Sequence, residues 1–383
     1  MTVTNSIKYI GVNDHDIDLF EGQYEVPLGM AYNSYLIIDE KIAVMDSVEI
    51  RFADEWISNI KAEIGDREVD YLIIGHMEPD HSSSIKSFAE AFPKATILSS
   101  AKAFNMMLGF FGDDFPDRRI VVGDGDSLSL GDHKLSFITA PMVHWPEVVM
   151  SYEESEAILF SADAFGKFGA LDIPDEWECE ARRYYFGIVG KYGAQVQSIL
   201  KRLKNRDIKA ICSLHGPVLK ENLGHYLGLY DIWSSYKPES DGVCIAYASI
   251  YGNTRAAAEL LCKELKKRGV TVAISDLARC DIHEAIEDAF RYDRLVLASS
   301  TYNADVFPVM RSFLHGLVER NYQNRRVAFI ENGSWAPMAT KVMKSMLEKS
   351  KNLTFAENEP RISSALNNES RTQIIDLAEE FSK

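Results

Sequence analysis

Apolar residues in the first half of the chain gather in short runs separated by polar turns. From Tyr32 to Val48, YNSYLIIDEKIAVMDSV holds two β-rich runs split by the polar DEK, a pattern that predicts a hairpin. FADEWISNIKAEI then repeats apolar positions at helical spacing, VDYLIIG reads as a strand, SSIKSFAEAF as a helix and ATILSS as a strand, with a further helix after it. A strand pair at KLSFITA and AILFSA follows, with helices around Glu178 to Lys204. This alternation describes an α/β domain over residues 1–236.

SSYKPESDG, Ser234 to Gly242, is polar, carries Pro238 and ends in glycine, so residues 237–242 are expected to be a linker. Over residues 243–383 the rhythm is cleaner. Strands VCIAYA, VTVAISDL, RLVLASST, RRVAFIEN and LTFAE are each followed by a helical pattern, which predicts a doubly wound parallel sheet.

Composition narrows the function classes. A formal net charge of -16 opposes binding to nucleic acid or to anionic lipid surfaces, both of which need Lys and Arg as counter-charge. The N-terminus lacks a basic start followed by an apolar core, and no apolar run approaches the ~20 residues of a membrane span, so a cytoplasmic protein without a membrane partner is expected. Cys179, Cys212, Cys244, Cys262 and Cys280 form no C-x-x-C pair, which removes the sequence basis for a thiolate zinc site, a rubredoxin-type iron site or a redox pair.

Candidate chemistry appears first in ASIYGNTRAAAE. Gly252 permits a tight turn, while Ser249, Tyr251, Asn253 and Thr254 offer polar groups at a helix N-terminus, where a phosphate is stabilised. Taken alone, the segment reads equally as an ordinary strand-to-helix turn. The loops after the third and fourth strands, SSTYNADVFP and ENGSWAP, carry Tyr302 and Trp335, aromatics able to stack on a flat ring. Together the three loops resemble flavodoxin. That resemblance implies FMN, with Ser249, Tyr251, Gly252, Asn253 and Thr254 on the phosphate and Thr301, Tyr302, Asn303, Gly333, Ser334 and Trp335 around the ribityl chain and ring. Asp305 is expected to place a carboxylate near the ring.

The second candidate is YLIIGHMEPDHSSS. An extended chain past Gly75 would send His76, Glu78 and Asp80 to one side, with His81 reaching round from the next turn. His144 in APMVHWPE, Asp163 in LFSADAFG and His215 in CSLHGP each end a β-rich run, so all could meet at one end of the sheets. His15, His133, His225, His283 and His315 lack such company and read as structural. This order resembles the metallo-β-lactamase fold, an αββα sandwich whose hydrolases usually show H-x-H-x-D-H. Here Glu78 stands at the second histidine position. Four histidines, one Glu and two Asp suit non-haem iron better than hydrolytic zinc.

H-x-E-x-D-H in a lactamase-like domain fused to a flavodoxin-like domain is similar to the flavodiiron proteins. The likeness implies that His76, Glu78 and His144 hold one iron, that Asp80, His81 and His215 hold the other, and that Asp163 bridges them. Tyr192 in GKYGAQ looks like a tyrosine placed behind the diiron pocket, and reads equally as a packed helix residue. The implied activity passes electrons from FMN to the diiron site, which reduces O2 to water or NO to N2O. Implied partners are an external donor, such as rubredoxin or a reduced-cofactor-dependent reductase, and a second copy in a head-to-tail homodimer or a dimer of dimers. No fused rubredoxin or flavin reductase module is expected. The competing reading is a dizinc lactamase-type hydrolase with an appended flavodoxin domain.

Overall fold

The runs flanking the DEK turn form the predicted hairpin, with Tyr35–Ile38 antiparallel to Ile42–Met45. The computed structural model describes residues 3–383. In it the hairpin lies within a six-stranded sheet, ordered Ile7–Tyr9, Tyr35–Ile38, Ile42–Met45, Tyr71–Ile73, Thr96–Ser99, Arg119–Val121. A second sheet of five strands runs Ser127–Ser129, Lys134–Thr139, Val149–Glu153, Ile158–Phe160, Ala210–Cys212.

The side-chain period of two explains how the sheets pack. Tyr35, Ile37, Ala43, Met45, Ile73 and Leu98 of the first sheet share one buried cluster with Phe137, Val149, Ile158, Phe160 and Cys212 of the second. The opposite parity, Leu36, Val44, Leu72 and Ile97, is equally buried, so the first sheet is covered on both faces. That is why its strands read as near-continuous apolar runs. The helix Ala53–Ile64 buries Trp56, Ile60 and Ile64 at intervals of four, and the Trp56 ring lies 5.7 Å from Phe88 of the helix Ile85–Ala91.

The chain divides into two compact units between Asp231 and Ile232, within the helix Leu223–Ser234. The expected linker is only partly free. Arg325 donates to the carbonyls of Tyr236 and Lys237 at 2.8 and 3.3 Å, and Ser240–Gly242 already belong to the strand Ser240–Ala248. In the second unit a parallel sheet runs Val272–Asp276, Ser240–Ala248, Tyr292–Tyr302, Arg326–Asn332, Thr354–Phe355. This is the order 2-1-3-4-5, in which the first strand lies between the second and third and ligands gather beyond the strands' carboxyl ends. Among the described residues no helix is long and apolar enough to cross a membrane.

Candidate metal centre and cofactor cleft

The strand Tyr71–Ile73 ends at Gly75, where a Cβ would stand 2.8 Å from the Val149 carbonyl oxygen, so only glycine fits. His76 follows at once, with Asp46 accepting from the Gly75 and His76 N–H groups at 2.7 and 3.2 Å. Glu78 is extended at φ -60°, ψ 139°, but Pro79 opens a short helix, Pro79–Ser82. A proline at the first helical position is pre-organised for that turn. Asp80 therefore leaves the line of His76 and Glu78, so the extended row of three does not form and the residues fall into the two groups that the family likeness implied.

Those groups are His76, Glu78, His144 and Asp163 on one side, and Asp80, His81 and His215 on the other, each with donor atoms within 4.8 Å of one another. In the first, His76 Nε2 lies 3.2 Å from His144 Nε2 and 3.3 Å from Glu78 Oε2, while His144 Nε2 is 3.0 Å from Asp163 Oδ2. In the second, Asp80 Oδ2 is 3.2 Å from Nε2 of both His81 and His215, which are themselves 2.9 Å apart. Asp163 spans them, since its Oδ1 reaches to 3.6 Å from His81 Nε2. Its turn is fixed by Ala162 and Phe165, both at positive φ (+50° and +68°), and by a 2.7 Å bond from Ser161 Oγ to the Ala164 carbonyl.

These spacings fit metal ions. Two donors bound at right angles to one ion at about 2.1 Å stand about 3 Å apart. Asp80 Oδ1 and Oδ2 and Asp163 Oδ1 are buried without a hydrogen bond of acceptable geometry, which a purely structural cluster would not leave. The field agrees. Burial alone would lower the pKa of His76, but the Asp163 charge and the bond to Glu147 hold it well above the usual value. His144 likewise rises to about 9, because Asp163 and Glu78 outweigh its burial. A site that stabilises positive charge this strongly suits divalent ions.

Several functional groups escape a reading of the sequence. Glu147 is buried and accepts from His76 Nδ1 at 2.8 Å and from the Met77 N–H at 2.9 Å; it sits in the same HWPE as His144, but its reach is tertiary. His215 Nδ1 donates to the Ala31 carbonyl at 2.8 Å. These contacts leave Nε2 of both rings to face the centre. Two buried tyrosines flank the cluster: Tyr32, its ring 6.4 Å from His81 and 6.1 Å from His215, and Tyr184, its ring 5.5 Å from His215 and its hydroxyl without a hydrogen-bond partner. Desolvation, then the charges of Asp163, Glu78 and Asp80, push the Tyr184 phenol far up. Tyr192 lies half-buried in the turn Gly190–Tyr192. Glu21, in the turn between Leu19–Phe20 and Tyr24–Glu25, is pushed up to about 7 by desolvation and then by the Glu78 charge.

In the second unit a cavity of about 630 Å³ lies beyond the strand ends, large enough for a mononucleotide. Of the expected residues, Ser249, Tyr251, Asn253, Thr254, Thr301, Asn303, Gly333, Ser334 and Trp335 line it. Gly252 sets the turn at φ +91°, immediately before the helix Asn253–Lys267, and its N–H donates to Ser249 Oγ at 3.1 Å. Tyr302, 44% exposed, packs edge-on against Phe307. Asn332 and Ser364 also line the cavity, Asn332 Nδ2 donating to Thr254 Oγ1 at 3.3 Å. None of the lining residues is charged. Asp305, expected to place a carboxylate near the ring, is not among them: its carboxylate is turned to Arg311 at 2.6 Å, which lowers its pKa.

A lactamase-type sandwich with two carboxylate–histidine clusters, followed by a flavodoxin-type sheet with a neutral aromatic cleft, defines a two-domain metalloflavoprotein. Residues 30–216 match the ODP family beta lactamase and residues 245–355 match flavodoxin. The chain is 31% identical over 362 residues to an uncharacterized protein of Methanocaldococcus jannaschii, covering 93% of this chain and 90% of that one. It is 30% identical over 347 residues to the anaerobic nitric oxide reductase flavorubredoxin of Vibrio vulnificus, covering 87% and 70%. The rubredoxin oxygen:oxidoreductase of Desulfovibrio gigas has the same fold, with a TM-score of 0.92 at 24% identity over 100% of this chain and 97% of that one. The chain belongs to the flavodiiron proteins. The family's cofactors, FMN and a non-haem diiron pair, fit the cleft and the two clusters.

Proposed function

We propose that the protein is a gas-reducing oxidoreductase that takes electrons in at FMN and delivers them to a diiron site. Either O2 is reduced to water by four electrons and four protons, or two NO are coupled to N2O and water by two electrons and two protons. The observation that carries this reading is the convergence of seven side chains into two groups joined by Asp163. His76, Glu78 and His144 would hold one iron, Asp80, His81 and His215 the other, and Asp163 both. The iron pair supplies redox-active positions at which a diatomic gas can be reduced. The chain's part is to keep those positions buried, to aim the imidazoles through Glu147 and the Ala31 carbonyl, and to offer the unpartnered Tyr184 hydroxyl as a donor beside His215. Residues 1–236 form the diiron domain in this reading and residues 243–383 the FMN domain.

A carboxylate at Glu78, where the hydrolytic pattern has histidine, favours iron, so the dizinc hydrolase is not favoured. Anaerobically purified protein is expected to carry about two irons and one FMN per chain and, once chemically reduced, to consume NO or O2. Two zincs with measurable thioester hydrolysis would sink the proposal. Parallel turnover of the two gases assigns the preferred substrate.

The proposed assembly is a head-to-tail homodimer in which each FMN serves the partner's diiron site, fed by an external donor such as rubredoxin. Mixing a His76→Ala chain with an Asn253→Ala chain first shown to lack FMN tests it. Neither parent should turn over, whereas random exchange should restore ~25% of wild-type activity, because half the dimers are hybrids with one intact pair. Verified hybrids that stay inactive would refute transfer between chains.

A further inference from the structure

The four imidazoles of the two clusters are not supported alike. His76 alone is backed by a carboxylate, Glu147 Oε1 at 2.8 Å from its Nδ1. His215 is backed by a neutral carbonyl, Ala31 at 2.8 Å, and His81 Nδ1 is buried with no hydrogen-bond partner. His144 meets the others only through Nε2. The Glu147 carboxylate is itself buried, and among the described residues its one partner besides His76 is the Met77 N–H on Oε1, its Oε2 being buried and unbonded. Among the described residues no Lys or Arg bonds its carboxylate, so its charge acts on His76. Asp46, the other carboxylate behind the ligands, bonds only the backbone N–H groups of Gly75 and His76; its charge acts on His81 more than on His76, but it makes no hydrogen bond to either ring, so it gives neither imidazole the oriented support that Glu147 gives His76.

A carboxylate accepting from the far nitrogen of a metal-binding imidazole fixes the ring's tautomer, orients it and raises its basicity, and removing such a partner typically lowers metal affinity about 10- to 100-fold. Here that support reaches only one of the two groups. We propose that Glu147 makes the two metal positions unequal, so that the His76–Glu78–His144 position binds its ion more tightly and fills first. This rests on the diiron reading above and adds an order of loading that the ligand set by itself does not contain. Glu147 acts through His76 and is a positioning residue.

The test is anaerobic titration of metal-depleted, FMN-loaded protein with Co(II), followed by its visible absorption. Wild type is expected to take up two equivalents in two resolved steps. Glu147→Gln retains a group that can accept from both His76 and Met77 but carries no charge, and it should weaken the first step about 10-fold or more while leaving the second and the FMN content unchanged. Glu147→Asp, which restores the charge, should recover part of the loss. A purely structural role for Glu147 would leave the Glu147→Gln titration like wild type, and that result overturns the proposal, as would equal weakening of both steps. A measurement free of any variant runs beside it: wild-type crystals loaded with one equivalent of Co(II) should show anomalous scattering at the His76–Glu78–His144 position. Signal at Asp80–His81–His215, or split equally, overturns the inference. Wild type that binds fewer than two ions refutes the diiron reading itself, a different failure.

Discussion

Asp163→Ala is expected to strip metal from both positions and to abolish gas reduction, lowering turnover by at least ~10³-fold, more than the loss of any neighbour that serves one group. Asp163 Oδ2 lies 3.0 Å from His144 Nε2 and 3.5 Å from His76 Nε2, while Oδ1 faces His81 Nε2 at 3.6 Å. One substitution therefore removes a carboxylate from each group and one negative charge from a buried site that holds four imidazoles. Glu78→Ala, by contrast, takes a ligand from the first group alone. FMN content should not change in either variant, since the cleft is lined only by residues of the other compact unit. Elemental analysis alongside the flavin absorbance checks this. An Asp163→Ala protein with two irons and normal turnover would show that the carboxylate does not join the two positions.

The second large effect is expected at the flavin cleft. Trp335 is 82% exposed and Tyr251 93%, unusual for large aromatics, and both line the cavity. Exposed aromatics at the rim of a concave site are ready to cover a flat ring, and stacking of an aromatic side chain on a heterocyclic base is worth about 1–3 kcal/mol by alanine substitution. Trp335→Ala is thus expected to weaken FMN binding about 5- to 150-fold, with the iron content intact. Fluorescence titration of FMN into flavin-depleted protein measures it, the ring's emission being quenched when it stacks. An affinity within about twofold of wild type would mean that Trp335 does not cover the ring. The neutral lining and the Asp305–Arg311 pair indicate that hydrogen bonds and stacking, not a charged side chain in the cleft, set the flavin's binding.

Much of this was legible in the chain. Two apolar runs split by the polar DEK marked the hairpin Tyr35–Met45, and the strand–helix alternation after Gly242 marked the parallel sheet, because apolar runs and the turns between them report where the chain is buried and where it reverses. The tight turn at Gly252 was readable for a similar reason: its conformation, φ +91° before a helix, is one that glycine adopts freely. Residue type and position at strand ends marked His76, Glu78, Asp80, His81, His144, Asp163 and His215 as a set, and the carboxylate at Glu78 argued for iron.

The family likeness implied how that set divides, and the structure supplies the physical reason. Periodicity gives a side chain's direction only within its own element, and at Pro79 the extended chain becomes a helical turn, which sends Asp80 away from Glu78 and toward His81 and His215. Sheet order then brings together residues as distant in the chain as His81 and His215, and leaves Asp163 between the groups. Glu147 and Tyr184 have no such signal. A glutamate three positions after His144 and a tyrosine in a buried helix look ordinary until the fold sets one against His76 Nδ1 and the other beside His215. The chain by itself determined which atoms are available to bind metal and flavin. Only packing, which sets distances between elements that the sequence leaves independent, decided which of them meet.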